Sequence, residues 1–328
     1  MRCIPRTLTC SQRAAAKTQV HHAPSSARLL AVQMHAGQLD ITRNLVARLV
    51  DSQFPALAGR PVTAVRSDGT VNALFRVGDD LVARLPIESG HPGAQRARIE
   101  AEAAAARRLL EVSPYPTPEP VAIGDPGQGY PLPWALYRWI PGTIASRAAI
   151  ADSADFAEDV AQFVSLLRSL PTGGRSFTGS GRGGVLTAHD ESVEFGLAQI
   201  RSIMDVDALA RLWADLRMTP RSGPDAWTHG DLMPGNLLAD EGRLAGVIDV
   251  GDFSVADPAL DLQPAWNLMG QRARAAFRSA LGTNDNEWHR GKGWAFAQAI
   301  GCLWYYRETN PVMSVTAQTT MEALLADA

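Results

Sequence analysis

The sequence predicts an α+β fold of two lobes, a small β-rich N-lobe over residues 34–140 and a larger helical C-lobe over residues 141–328. Three observations carry this expectation. Short apolar alternations separated by turn residues fill the first third, with a single strong helix among them. Pro141-Gly142 then interrupts the pattern. Beyond it apolar residues recur at helical spacing, as in Phe156, Val160, Phe163, Val164 and Leu167.

Taken in order, Asp40 is placed to cap a helix whose apolar face is Ile41, Leu45, Leu49 and Val50. A strand over residues 62–66 follows, then the turn-rich Ser67-Asp68-Gly69-Thr70. Strands at 72–77 and 81–85 flank Gly78-Asp79-Asp80, a hairpin turn. Residues 96–111 are dominated by Ala, Glu, Arg and Leu, all strong helix formers. Pro114, Pro116, Pro118 and Pro120 end that helix and lead to a strand near Val121, and another spans 134–140. In the C-lobe, residues 173–184 form a glycine-rich connector, read as a loop near the site. Thr187 and Asp190 have capping-box spacing ahead of a helix with Val193, Leu197 and Ile200 inward. Residues 294–305 and 316–325 are further helices.

Composition narrows the function classes. The 328 residues are 46% hydrophobic and 20% charged, an ordinary globular balance. No apolar run approaches the roughly 18 residues of a membrane helix, so no membrane partner is expected. Cys3, Cys10 and Cys302 show no paired spacing, which points to a reducing cytoplasm. Residues 1–33 carry Arg2, Arg6, Arg13, Lys17 and Arg28 but no acid before Asp40, and read as a disordered or non-native extension ahead of Met34. Setting those five bases aside leaves 26 of 31 against 34 acids, a net charge of −8 in place of −3. An acidic body argues against nucleic-acid binding and is compatible with a cationic small-molecule partner.

The chemistry concentrates in Thr228-His229-Gly230-Asp231-Leu232-Met233-Pro234-Gly235-Asn236, followed by a turn and a strand leading to Ile248-Asp249. This is an acid on a loop, an amide five residues later, a hairpin, and a second acid at a strand's end. Phosphoryl transfer requires those parts: a carboxylate to orient a hydroxyl and take its proton, and oxygen ligands to hold Mg²⁺ against nucleotide phosphates. The Asp231 to Asn236 spacing equals that of the protein-kinase loop H-R-D-x-x-x-x-N.

The segment resembles the signature of the aminoglycoside phosphotransferase family, H-G-D-x-x-x-x-N followed by a strand ending in I-D. The resemblance implies a protein-kinase-like two-lobe fold and a small-molecule kinase, transferring phosphoryl from ATP or GTP to a hydroxyl of an aminoglycoside-like antibiotic or other metabolite. Asp231 is then the base, Asn236 and Asp249 the metal ligands, and His229 a brace for the loop. Asp257-Pro258-Ala259-Leu260-Asp261 matches the family's D-P-x-x-D, read as a helix cap and loop anchor rather than a substrate contact. Val250-Gly251 departs from the usual Phe-Gly, and Asp252 is a third candidate ligand.

The same resemblance assigns the nucleotide side. Ser67 and Gly69 belong to a turn placed to cover phosphates. Arg84 stands where kinases carry their third-strand lysine, and a guanidinium keeps the charge with a forked geometry. Its partner is one of Glu100 and Glu102, with the family pattern favouring Glu102. Tyr137, Arg138 and Trp139 lie on the hinge strand, whose backbone would meet the adenine edge. On the acceptor side, between Asp231 and the helices after Gly184, Asp190, Glu191, Glu194, Asp205 and Asp207 are acids that could hold a polycation, although a solvated helix face explains each more readily.

Two other readings compete. A nucleotide-binding pseudokinase has no need of Asp231, Asn236 and Asp249 together. A metal-dependent hydrolase built on His229 predicts a tighter histidine set than the seven present, two of which are His21 and His22. Acceptor identity and the choice between ATP and GTP are left open.

Overall fold

The computed structural model describes residues 37–67, 69–179, 181–221 and 223–327. The extension expected over residues 1–33 lies outside them, as does Asp68 of the phosphate-covering turn.

The N-lobe is built on an antiparallel sheet. Its strands are β1 (Val62–Val65), β2 (Asn72–Val77), β3 (Leu81–Pro86), β4 (Pro120–Gly124) and β5 (Trp134–Arg138), in the order β1-β2-β3-β5-β4. Side chains alternate across the sheet, and each face has a separate task. One face packs against helix α1 (Arg43–Gln53), where Leu45, Val46, Leu49 and Val50 meet Phe75, Val77, Leu81, Ala83, Trp134 and Leu136. Burying each such side chain contributes roughly 1.5–3 kcal/mol. The other face turns Val82, Arg84, Ala135 and Tyr137 toward helix α2 (Pro92–Leu110) and the C-lobe. The cap of α1 is Thr42, not Asp40: Thr42 directly precedes the first helical residue in an extended conformation, so its hydroxyl accepts from Leu45 N at 3.3 Å. Helix α2 begins four residues earlier than expected because Pro92 takes the first helical position, where its missing N–H costs nothing.

The C-lobe opens with the short β6 (Thr143–Ile144) and α3 (Arg147–Ile150), then the long α4 (Ala154–Ser169). Next come α5 (Asp190–Gln199), α6 (Val206–Leu216), β7 (Ala226–Thr228), the hairpin β8 (Leu237–Asp240) and β9 (Arg243–Val247), and β10 (Ser254–Ala256). Helices α7 (Pro264–Asn267), α8 (Gln271–Leu281), α9 (Asp285–Tyr305) and α10 (Pro311–Ala326) complete the chain. Thr187 makes no cap. It sits inside a 3-10 turn, Leu186–His189, and Asp190 instead accepts from Trp213 Nε1 (2.9 Å) and Arg217 Nη2 (2.5 Å).

Helix α9 runs through the centre of the lobe, buried from Arg290 to Leu303, and starts nine residues before the expected point. Arg290 and Lys292 interrupt its apolar pattern, yet both are buried and paired with Asp257 and Asp327. Helix α4 is tied to β9 by Asp159, which accepts from Arg243 Nε (2.6 Å), Arg243 Nη2 (2.6 Å) and Leu244 N (3.1 Å). No helix among the described residues is long and apolar enough to cross a membrane.

Candidate active site

Between the lobes lies a cleft of about 690 Å³. Its upper wall includes Ser67, Gly69, Val82, Arg84, Tyr137 and Trp139, and its floor includes Asn236, Leu238, Ile248 and Asp249. Every residue expected on the nucleotide side therefore lines it except Glu102, which lies behind Arg84.

The floor depends on the loop 229–236 between β7 and β8. Gly230 adopts φ +82°, and a Cβ there would fall 2.9 Å from the Asp252 carbonyl, so the loop turns this tightly only with glycine. Asp261, 1% exposed, grips the turn: Oδ2 accepts from His229 N at 2.8 Å and Oδ1 from Gly230 N at 2.9 Å. His229 is fully buried. Its Nδ1 accepts from Asp231 N at 3.3 Å, which leaves the proton on Nε2, 3.2 Å from the Ile248 carbonyl. The imidazole thus ties the loop to the segment before Asp249 and does not face the cleft. Asp257 caps the following turn at Ala259 N (3.1 Å) and accepts from Trp294 Nε1 (2.7 Å) and the Arg290 guanidinium. Both acids of the D-P-x-x-D segment act as cap and anchor.

Asn236 is bonded to Asp231 and lines the cleft together with Asp249. Asn236 Nδ2 donates to Asp231 O (2.8 Å) and to Asp231 Oδ2 (2.9 Å), while Asn236 O accepts from Ile248 N (2.8 Å). Asp249 follows β9 by two residues in the left-handed region, φ +61°, an uncommon conformation for a non-glycine residue that turns the chain at the cleft floor. Asp231 is 1% exposed and sits behind Asn236 rather than in the cleft wall.

Arg84 on β3 pairs with Glu102 on α2, and its Nη2 lies 3.5 Å from Asp249 Oδ1. Burial by itself would push this guanidinium down, but Glu102 and then Asp249 reverse that and hold it above its ordinary value. Glu100, the alternative partner, is exposed and faces Arg96 at 3.9 Å. On the hinge, the Arg138 amide donates to Glu119 O (2.9 Å) and the Trp139 amide to Asp80 O (2.9 Å). Those two amides are committed to bonds within the lobe.

The structure does not bring the expected polycation-binding acids to the cleft. Asp205 caps α6, Asp190 holds Trp213 and Arg217, and Glu191, Glu194 and Asp207 are exposed. Among the described residues Asp249 is the single carboxylate in the lining, beside Arg66, Arg84, Arg138 and Arg147. Two residues absent from the sequence reading contact Asp231: Gln298 Nε2 at 2.7 Å from Oδ1, and Arg182 Nη2 at 3.2 Å from the same atom. Arg182 also lies 3.5 Å from Asp252 Oδ2. The glycine-rich neighbourhood of Arg182, and a lone amide within the apolar run of α9, are the signals that could have marked them.

Comparison with known proteins bears on the family and the fold. Residues 62–294 match the model of the phosphotransferase enzyme family, APH. An aminoglycoside 3'-phosphotransferase of Escherichia coli is 31% identical over 157 residues, 42% of this chain and 53% of the relative. One from Salmonella typhimurium is 31% identical over 146 residues, with the same two coverages of 42% and 53%. The chain spans about half the length of the curated relatives it matches. Among solved structures, the GDP complex of wild-type aminoglycoside 2'-phosphotransferase-IIIa aligns with a TM-score of 0.68 at 21% identity, over 88% of this chain and 99% of that one. Macrolide 2'-phosphotransferase MphH from Brachybacterium faecium aligns at 0.56 and 17%, over 86% and 97%. These structures share the two-lobed fold.

Proposed function

Because the chain belongs to the APH phosphotransferase family, we propose that it moves the γ-phosphoryl group of ATP or GTP to a hydroxyl of a small molecule. The observation that carries this reading is that Asn236, bonded to Asp231, lines the floor of one cleft with Asp249, under a roof that holds Arg84. In this reading the N-lobe and the cleft hold the nucleotide. Val82 above, with Leu238 and Ile248 below, offers apolar surfaces to a flat base, and Ser67 and Gly69 cover the phosphates. Arg84, steadied by Glu102, supplies a permanent positive charge for them.

The donor set fits Mg²⁺. With the amide nitrogen of Asn236 committed to Asp231, its Oδ1 is the atom left for the cleft, and Asp249 adds a carboxylate. Both are hard oxygen donors. Among the described residues no group of three or more His, Cys, Asp or Glu forms a cage, as suits an ion that completes its shell with phosphate oxygens and water. Bound there, the ion would neutralise charge on the phosphates. Asp231 orients the acceptor hydroxyl and accepts its proton as the oxygen bonds to the γ-phosphorus, and the nucleoside diphosphate leaves with the electron pair of the broken bond.

Relatives of this fold have been solved with GDP, ADP and ATP, and with kanamycin, gentamicin and streptomycin. Those compounds and a macrolide form the acceptor panel for a test, each incubated with the protein, Mg²⁺ and either nucleotide. A phosphorylated product detected by mass, with one nucleoside diphosphate per product, is the expected result. Nucleotide binding without transfer to any acceptor, or ester hydrolysis that ignores nucleotide, would overturn the reading.

A further inference from the structure

We propose that Arg182 and Gln298 are positioning residues for this transfer, which occupy Asp231 Oδ1 and leave one acceptor position, on Oδ2, for the attacking hydroxyl. The inference rests on the function proposed above.

An ionised carboxylate offers about four lone-pair positions. On Oδ1, Gln298 Nε2 (2.7 Å) and Arg182 Nη2 (3.2 Å) take two of them; on Oδ2, Asn236 Nδ2 (2.9 Å) takes one. Rotating the carboxylate would break three bonds at once. A hydroxyl on Oδ1 would have to displace Gln298 or Arg182, whereas one on Oδ2 arrives beside Asn236, whose other face lines the cleft. The donor arrangement therefore selects the approach direction.

The backbone that presents Arg182 is bolted down. Gly183 O accepts from Asp257 N (3.0 Å) and Arg221 Nη2 (2.7 Å), and Gly184 O accepts from Arg290 Nη2 (2.8 Å). Gly183 has φ +106°, and a Cβ there would lie 2.7 Å from Ala256 Cβ. Asp257 caps, and Asp261 lies within, one short 3-10 segment (Pro258–Leu262), so a single platform holds both the loop carrying Asp231 and the loop carrying Arg182. Gln298 is 4% exposed on α9, and among the described residues its Oε1 is buried without a partner. A buried amide whose oxygen has no partner costs stability relative to an apolar residue. Its one bond goes to Asp231, which gives that cost a functional return.

The test compares wild type with Arg182→Met, Arg182→Lys, Gln298→Leu and the Arg182→Met/Gln298→Leu double variant. Turnover of ATP and GTP is followed with kanamycin, a macrolide and water alone as acceptors, recording kcat, nucleotide KM, melting temperature and product formed per nucleoside diphosphate. Arg182→Met and Gln298→Leu should each lower kcat by up to roughly a hundredfold, the scale of loss when reacting groups are misplaced by about 1 Å. Nucleotide KM should stay unchanged, and Arg182→Lys should recover part of the loss. The double variant should lose less than the product of the two single losses, because both act through one carboxylate. Wild-type kcat in Arg182→Met overturns the inference, and so does a kcat loss matched by loss of folded protein at the assay temperature. Wild type that turns over neither nucleotide onto any acceptor overturns the proposed function itself.

Discussion

Replacing Asp261 with Asn separates the scaffold of the site from its chemistry. The carboxylate accepts two buried backbone N–H groups, from His229 at 2.8 Å and Gly230 at 2.9 Å. A hydrogen bond to a charged group contributes about 1.5–3 kcal/mol. Asn keeps one acceptor oxygen and turns an amide donor toward the other N–H, so one of the two bonds is lost. The expected destabilisation is about 1.5–3 kcal/mol, and roughly twice that for Asp261→Ala, where both N–H groups are orphaned. Against a typical total of about 5–15 kcal/mol this is a large share. Urea unfolding followed by circular dichroism should show a lower midpoint at unchanged slope. Hydrogen exchange should quicken at the His229 and Gly230 amides, and turnover should fall as the loop loses its anchor. An Asn variant with a wild-type midpoint and equally slow exchange at both amides would refute the argument.

Three further outcomes are expected. Asp231→Ala should reduce phosphoryl transfer by about 10²–10⁴-fold while nucleotide affinity, measured by calorimetry, stays the same; transfer at the wild-type rate would remove Asp231 from the step. Asp249→Asn should raise the Mg²⁺ concentration needed for half-maximal turnover, and an unchanged metal titration would count against its role as a ligand. Asp159→Asn should act on stability at low pH. Burial pushes this carboxyl up, but the bonds from Arg243 and Leu244 N outweigh it and hold the group below its usual range. Its stabilisation is therefore present above the ordinary carboxylate pKa and lost as pH falls through the lowered folded value. The variant should have a flatter acid limb in a plot of melting temperature against pH, and parallel curves would contradict the assignment.

Much of the N-lobe was legible because its signals are local. The strands β2 and β3 and their turn follow from alternation and from Gly78-Asp79-Asp80, and α4 from unbroken helical spacing. Asp231, Asn236 and Asp249 could be read because their spacing lies within one loop and one hairpin. Elements with polar interruptions were harder. Helix α9 was recognised only in its second half, since charged residues such as Arg290 look solvent-facing until their partners are known. Helices α6 and α8 went unread.

Short-range order in the chain was thus enough to indicate the two lobes and to mark Asp231, Asn236 and Asp249 as candidates, since turns, periods and a five-residue loop depend on neighbouring residues. Folding in three dimensions settled the choice of Glu102 over Glu100, the burial of His229 as a brace, and the surroundings of Asp231. Arg182 and Gln298 lie 49 and 67 residues from that carboxylate along the chain. No local pattern links them to it, because the contact exists only once the 3-10 segment containing Asp261 and the central helix α9 have packed around the loop.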